Sequence, residues 1–129
     1  MAGRAFLRFC DDAVLVAHNA AFDLAFLRKH RAELGAGLDA PVLDTILMSA
    51  LLYGPAAGHG LEDLAARLGV TIGDGERHTA IGDALATARI LERMLPMLRE
   101  RGVVTLADAL AAARRFRSVV SLPEPAPTR

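Results

Sequence analysis

The sequence predicts an α/β domain with a partly parallel sheet. Three observations carry that expectation. Short apolar runs of strand length are each followed by a stretch of helical periodicity, so the order is strand, helix, strand, helix. Apolar residues make up 53% of 129 residues, enough for one core. Only two strands are legible, too few to cover the helices, so the sheet is expected to be incomplete.

Gly3–Cys10 reads as the end of a helix. Ala13–Ala17 (AVLVA) is an apolar run of the kind buried on both faces of a parallel sheet. Asn19 is then a plausible N-cap for a helix from Ala20 to about Leu34, ended by Gly35–Gly37. Pro41–Thr45 (PVLDT) is a second short strand running into a helix through Leu52, and Gly54–Gly60 is a loop. Leu61, Leu64, Ala65 and Leu68 recur at helical spacing, with Gly69 where a C-cap belongs. Val70–Ile72 reads as extended and Gly73–His78 as a polar loop.

The next helix has an apolar stripe of Ile81, Ala84, Leu85, Ala88, Leu91 and Leu95, with Pro96 ending or kinking it. Thr105 opens a last helix, with Asp108 as capping partner and Leu106, Ala109, Leu110, Ala113 and Phe116 as its buried face. Pro123, Pro125 and Pro127 mark a tail expected to be disordered. The domain expectation is therefore a partial α/β domain over 1–100, a helical extension over 101–117 and a disordered tail over 118–129.

Charge and cysteine content exclude several classes. Fifteen cations balance fifteen acids, so no broad positive field draws nucleic acid from a distance, and any such contact must be local. Cys10 is alone, which excludes an internal disulfide and Cys-rich zinc sites and points to a reducing cytoplasm. The longest apolar stretch, Thr45–Ala57, contains Gly54 and Pro55 and is too short to span a bilayer. No secretory signal is visible at the N-terminus, and no membrane partner is expected.

Few residues can carry chemistry. Asp23 opens a helix that follows a strand, so it is either a carboxylate favoured by the helix dipole or a ligand group at the carboxyl end of the sheet. His78 and Asp83 are five residues apart and would diverge on one helix. They can converge only if His78 stands on the preceding loop and Asp83 in the first turn. His59 and His30 are read as a loop residue and an exposed helix residue without a role. Asp44 and Thr45 are a helix cap or a support for the site, with the cap favoured. Arg114, Arg115 and Arg117 could touch phosphates but read better as a solvated flank. Asp11 and Asp12 precede a strand, and Asp74-Gly75-Glu76 lies in a glycine loop.

Val16-Ala17-His18-Asn19-Ala20-Ala21-Phe22-Asp23-Leu24-Ala25-Phe26-Leu27 resembles the second motif of the DEDDh 3′–5′ exonucleases, the family of the proofreading epsilon subunit of bacterial DNA polymerase III. His78-Thr79-Ala80-Ile81-Gly82-Asp83-Ala84, followed by Thr87-Ala88, resembles the third. Val42-Leu43-Asp44-Thr45 and His59-Gly60-Leu61-Glu62-Asp63-Leu64-Ala65 match the connecting segments. The resemblance implies an RNase H-like exonuclease fold and metal-dependent hydrolysis of a phosphodiester from a 3′ end, with DNA favoured over RNA. It implies two ions, Mg²⁺ or Mn²⁺, held by carboxylates. Asp83 and Asp23 would be the metal residues and His78 the general base. Asn19 and Phe22 would shape the site around the terminal nucleotide. A DNA polymerase is an implied partner.

The departure from the family is the first motif. No Asp-x-Glu-Thr-x-Gly occurs, and the chain starts where the family's first crossover helix ends. The expectation is a C-terminal part of such a domain, its first strands missing, with a misplaced start or a fragment as the cause. With two of four carboxylates absent, metal binding and hydrolysis by this chain alone should be weak. The alternative is a non-catalytic module that keeps the fold remnant and binds nucleic acid or a partner chain supplying the missing strands.

Overall fold

A computed structural model describes residues 5, 8–19, 29, 41–76 and 78–117. Residues 5, 8 and 9 are helical, followed by a turn over 10–12. Strand β1 (Leu15–Ala17) pairs in parallel with β2 (Val42–Asp44), in the register Leu15 with Val42, Val16 with Leu43 and Ala17 with Asp44. A parallel pair needs a crossover. The expected helix Ala20–Leu34 lies outside the described residues except for Lys29, which is helical. Asp23, Phe22, His30 and the tail 118–129 also lie outside them. The α/β class and the partial parallel sheet are as expected. Both strands are shorter than the apolar runs suggested, and 70–72 forms no strand.

Helix α1 (Thr45–Tyr53) starts directly at the end of β2 and is the centre of the core. Seven of its nine residues are buried, so it is covered on all sides rather than on one. Asp44 caps it, accepting from the Ile46 N–H at 2.8 Å. Gly54 ends it at φ 89°, which side chains rarely adopt. Helix α2 (Leu61–Leu68) follows its stripe and its stop: it is amphipathic, and Gly69 closes it in the left-handed conformation. Asp63 also accepts from the Gly60 N–H at 3.1 Å.

Helix α3 (Ala80–Glu100) contacts α1, α2 and β1. Its buried face corrects the sequence expectation. The residues turned inward are Gly82, Ala86, Thr87, Ile90, Met94 and Leu98. Ile81 is 76% exposed, Leu85 43% and Leu95 53%. The helix carries apolar residues around most of its girth, and periodicity alone chose the wider stripe. The face that packs has small residues at its start, which let the helix approach its neighbours closely. Pro96 does not end the helix. Pro96 and Glu92, the residue four before it, both lie on the exposed side, where water can take the carbonyl that loses its donor.

Gly82 is fixed by geometry. Thr79 caps α3 by accepting from the Gly82 N–H at 2.9 Å and itself donates to the Glu76 carbonyl at 2.7 Å. A Cβ at position 82 would lie 2.0 Å from that same carbonyl oxygen.

Helix α4 (Leu106–Arg117) has the reciprocal cap read from the sequence. Asp108 accepts from the N–H groups of Thr105 and Val104 at 3.0 Å each, and its own N–H donates to the Thr105 hydroxyl at 3.1 Å. Its buried residues are Ala109, Ala112 and Ala113. Leu106 is exposed, and Leu110 and Phe116 are half-buried, so the inward stripe is turned toward the alanines. Arg114 and Arg115 are exposed, as a solvated flank requires. α4 packs on α1 and β2, and its alanines join the core with Leu47, Met48, Leu64, Ile90 and Met94. Arg101 donates to the carbonyls of Leu51 and Leu52, and Arg93 to that of Leu68, satisfying the open C-terminal ends of α1 and α2.

The reassigned face of α3 is directly testable. Ile90→Ala should lower the unfolding free energy by about 2–5 kcal/mol, whereas Ile81→Ala should stay within about 0.5 kcal/mol. Urea denaturation of the two variants reads the difference. Gly82→Ala should destabilise as well, through the Glu76 carbonyl, and a wild-type midpoint for it would contradict the close approach.

Candidate functional site

The carboxyl ends of β1 and β2 point the same way, and the register sets Ala17 beside Asp44. The residues at and just beyond these ends therefore meet: His18 and Asn19 from one strand, Asp44 and Thr45 from the other. In an open α/β sheet this is where ligands bind. Asp44, 3% exposed, accepts from the Asn19 N–H at 3.1 Å with the same oxygen that caps α1. Both readings of Asp44 thus hold in one atom: it is a helix cap, and it ties the two strand ends together. Asn19 has φ 71°, the left-handed region, which a short polar side chain tolerates better than most. An N-cap residue is extended instead, so Asn19 does not have the backbone of the expected cap.

A polar layer continues along α1. Thr45 and Ser49 are both fully buried and stand one turn apart. Thr45 Oγ1 donates to the Ala17 carbonyl at 3.3 Å and lies 2.8 Å from His18 Nδ1. With its one hydrogen used on the carbonyl, the hydroxyl accepts from the His18 Nδ1–H. Ser49 Oγ lies 2.8 Å from His59 Nδ1. His59 therefore has a structural partner, contrary to its reading as a loop residue without a role. Sequence reasoning missed this layer, although two hydroxyls one turn apart in an otherwise apolar helix signal a buried face that needs polar partners. Two buried atoms in this region, Asn19 Oδ1 and His59 Nε2, have no hydrogen-bond partner among the described residues.

Burial pushes the His18 imidazole below its ordinary value, and His59 nearby acts in the same direction. The Asp44 carboxylate and a hydrogen bond to the His59 backbone oppose it without reversing it.

His78 and Asp83 take the loop and first-turn positions that convergence would need. His78 stands on the loop before α3, exposed, at φ 63°. Asp83 lies in the first turn, half-buried, its N–H donating to the Thr79 carbonyl at 2.9 Å. Thr87 donates to the Asp83 carbonyl at 2.8 Å. α3 packs against β1, so the helix bearing Asp83 and the strand leading into Asn19 are neighbours. Whether Asp23 and Phe22 join them lies outside the described residues. Asp74 and Glu76 are exposed turn residues, and Asp11 and Asp12 are exposed ahead of β1. Among the described residues, no three His, Cys, Asp or Glu side chains stand close enough to share an ion. These donors alone do not make a two-metal site. Also among the described residues, no helix is long and apolar enough to cross a membrane.

The His18 environment has a pH consequence. Its folded-state pKa lies below the unfolded value of 6.5, so the unfolded chain takes up the proton first as pH falls. The contribution to stability is fully present above pH 6.5 and declines from there toward the lowered folded value. Urea midpoints at acid and neutral pH should therefore differ less for His18→Gln than for the unmodified chain. An unchanged difference would show that His18 does not titrate this way.

The exonuclease family model RNase_T matches residues 2–91. A DNA polymerase III subunit epsilon-like protein of Rhodobacter capsulatus is 50% identical over 113 residues, 88% of this chain and 16% of that protein. DNA polymerase III PolC-type of Caldanaerobacter subterraneus subsp. tengcongensis is 39% identical over 103 residues, 80% of this chain and 7% of that protein. PolC-type polymerase III of Streptococcus pneumoniae is 40% identical over 105 residues, 79% of this chain and 7% of that protein. The chain thus spans no more than about a sixth of the length of these relatives. No solved structure matches it. A family match over residues 2–91 and relatives at this identity, following a strand-end cluster and a loop–helix junction where the resembled motifs fall, give one result: the chain belongs to the exonuclease family.

Proposed function

We propose that the protein is a metal-dependent 3′–5′ exonuclease, with His78 as general base, Asp83 and Asp23 as metal residues, and Asn19 and Phe22 around the terminal nucleotide. The observation that carries this reading is backbone strain in the right places. Three non-glycine residues among those described have positive φ, and two of them are Asn19 and His78. Such conformations cost free energy and persist where the surroundings enforce them, commonly at functional sites. The step supported for this chain's own residues is narrow. His78, exposed on its loop, would take a proton from an attacking water, the general-base role that the resemblance implies. Mg²⁺ or Mn²⁺ would supply the charge stabilisation that phosphodiester hydrolysis requires.

The substrate is a nucleic acid with a 3′ end, with DNA favoured by the polymerase III names of the relatives. Those names also support a DNA polymerase as partner. A lone cysteine and the absence of a membrane-length helix among the described residues support a cytoplasmic location.

A second reading has its own observation. The sequence contains no Asp-x-Glu-Thr-x-Gly, and the described residues contain no group of three metal donors. A non-catalytic module that binds nucleic acid or a partner chain fits those two facts.

One assay separates the readings. A 5′-labelled single strand is incubated with the chain and Mn²⁺, and product length is read on a gel. The exonuclease reading expects slow loss of nucleotides from the 3′ end, abolished by EDTA and by Asp83→Asn. His78→Ala should slow it by about 10²–10⁴-fold. Trimming that survives Asp83→Asn rules out the metal assignment. Binding without trimming favours the module.

A further inference from the structure

We propose that Asp44 is a positioning residue for the terminal nucleotide: its buried carboxylate holds Asn19 in the left-handed conformation and so presents the Asn19 side chain to a donor group on that nucleotide. The inference rests on the exonuclease reading of Asn19 and adds to it a residue outside both resembled motifs.

A helix cap alone does not call for this carboxylate. Serine or threonine caps a helix about as well, with a hydroxyl in place of a charge that is expensive to bury. Asp44 is 3% exposed, and its Oδ1 serves two N–H groups, that of Ile46 at 2.8 Å and that of Asn19 at 3.1 Å, 25 residues away in sequence. The shorter serine side chain can keep the first bond but not reach both. The second bond acts on a strained residue, because Asn19 has φ 71°. A fixed N–H with positive φ fixes the direction in which the side chain leaves the backbone. That side chain ends in Oδ1, buried and without a hydrogen-bond partner among the described residues. Buried acceptors are rarely left open, and an open one on a constrained backbone at the carboxyl end of a sheet suits a ligand donor. On a terminal nucleotide the donors are a sugar hydroxyl or a base N–H.

The test uses the ¹⁵N-labelled 129-residue chain with Mg²⁺ and thymidine 5′-monophosphate as the probe. Amide exchange at Asn19 reports the Asp44 bond, and shift titrations report affinity. Asp44→Ser keeps a helix cap and should remain folded, while the Asn19 amide exchanges faster and nucleotide binding weakens about tenfold, the scale of one lost hydrogen bond. Asp44→Thr is a second capping variant and should behave alike if the serine variant does not fold. Asp44→Asn keeps the shared acceptor and should restore both readouts. Asn19→Gly tolerates the same φ and removes the carboxamide. Combined with Asp44→Ser, it should add little, because both changes act through one group. Capping variants that bind as tightly as the unmodified chain, or losses that add in full, would overturn the inference and leave the exonuclease reading intact. An unmodified chain whose resonances do not respond to the nucleotide would overturn that reading and the inference together.

Discussion

One buried carboxylate oxygen organises the described part of the molecule. Asp44 Oδ1 accepts from the first turn of α1 and from Asn19 just beyond β1. The strands are only three residues long, too short for their ladder to hold two chain segments in register unaided. The Asp44 bridge, with the Thr45 hydroxyl on the Ala17 carbonyl, extends the pairing past the ends of the strands. Since α1 begins at Thr45 and is buried nearly all round, whatever fixes its start also fixes the core that α3 and α4 build against it. The same atom therefore serves packing and site geometry.

The polar layer on α1 shows what this arrangement costs. Thr45 and Ser49 are fully buried in a helix whose other buried residues are apolar, and each hydroxyl would be destabilising without a partner. The partners are histidines from distant segments, His18 after β1 and His59 on the loop before α2. A hydrogen-bonded layer is more specific than an apolar one, because a shifted register would leave several groups unsatisfied at once. Burial of His18 within the layer favours its uncharged form. The layer adjoins the strand ends, since Thr45 also bonds the Ala17 carbonyl at the end of β1.

How far the sequence was legible depended on whether a feature was local. Helix α2 was readable from Leu61 to the glycine that ends it, because its stripe and its stop are adjacent in sequence. The Thr105–Asp108 cap of α4 was readable for the same reason. So was the placement of His78 on a loop and Asp83 in a first turn, because the glycine-rich loop and the start of the apolar stripe at Ile81 are neighbours in sequence. The inward face of α3 was not readable. Ile81 and Leu85 are larger and more apolar than Gly82, Ala86 and Thr87, and only the neighbours decide that the small residues turn inward. The roles of His59 and of the second Asp44 bond were hidden too, since each depends on a residue from a distant part of the chain brought close by the parallel pairing.

The misjudged face of α3 bears on the chemistry. A helix with apolar residues on two sides is suited to lie between two layers. The described residues cover the side with Ile90 and Met94 and leave Ile81, Leu85 and Leu95 in solvent, each forfeiting part of the roughly 1.5–3 kcal/mol that full burial supplies. Among the described residues, Ile81, Leu85 and Leu95 of α3 stay uncovered and no group of three metal donors forms. Asp83 sits at the N-terminal end of this helix, half-buried, two residues after the exposed Ile81.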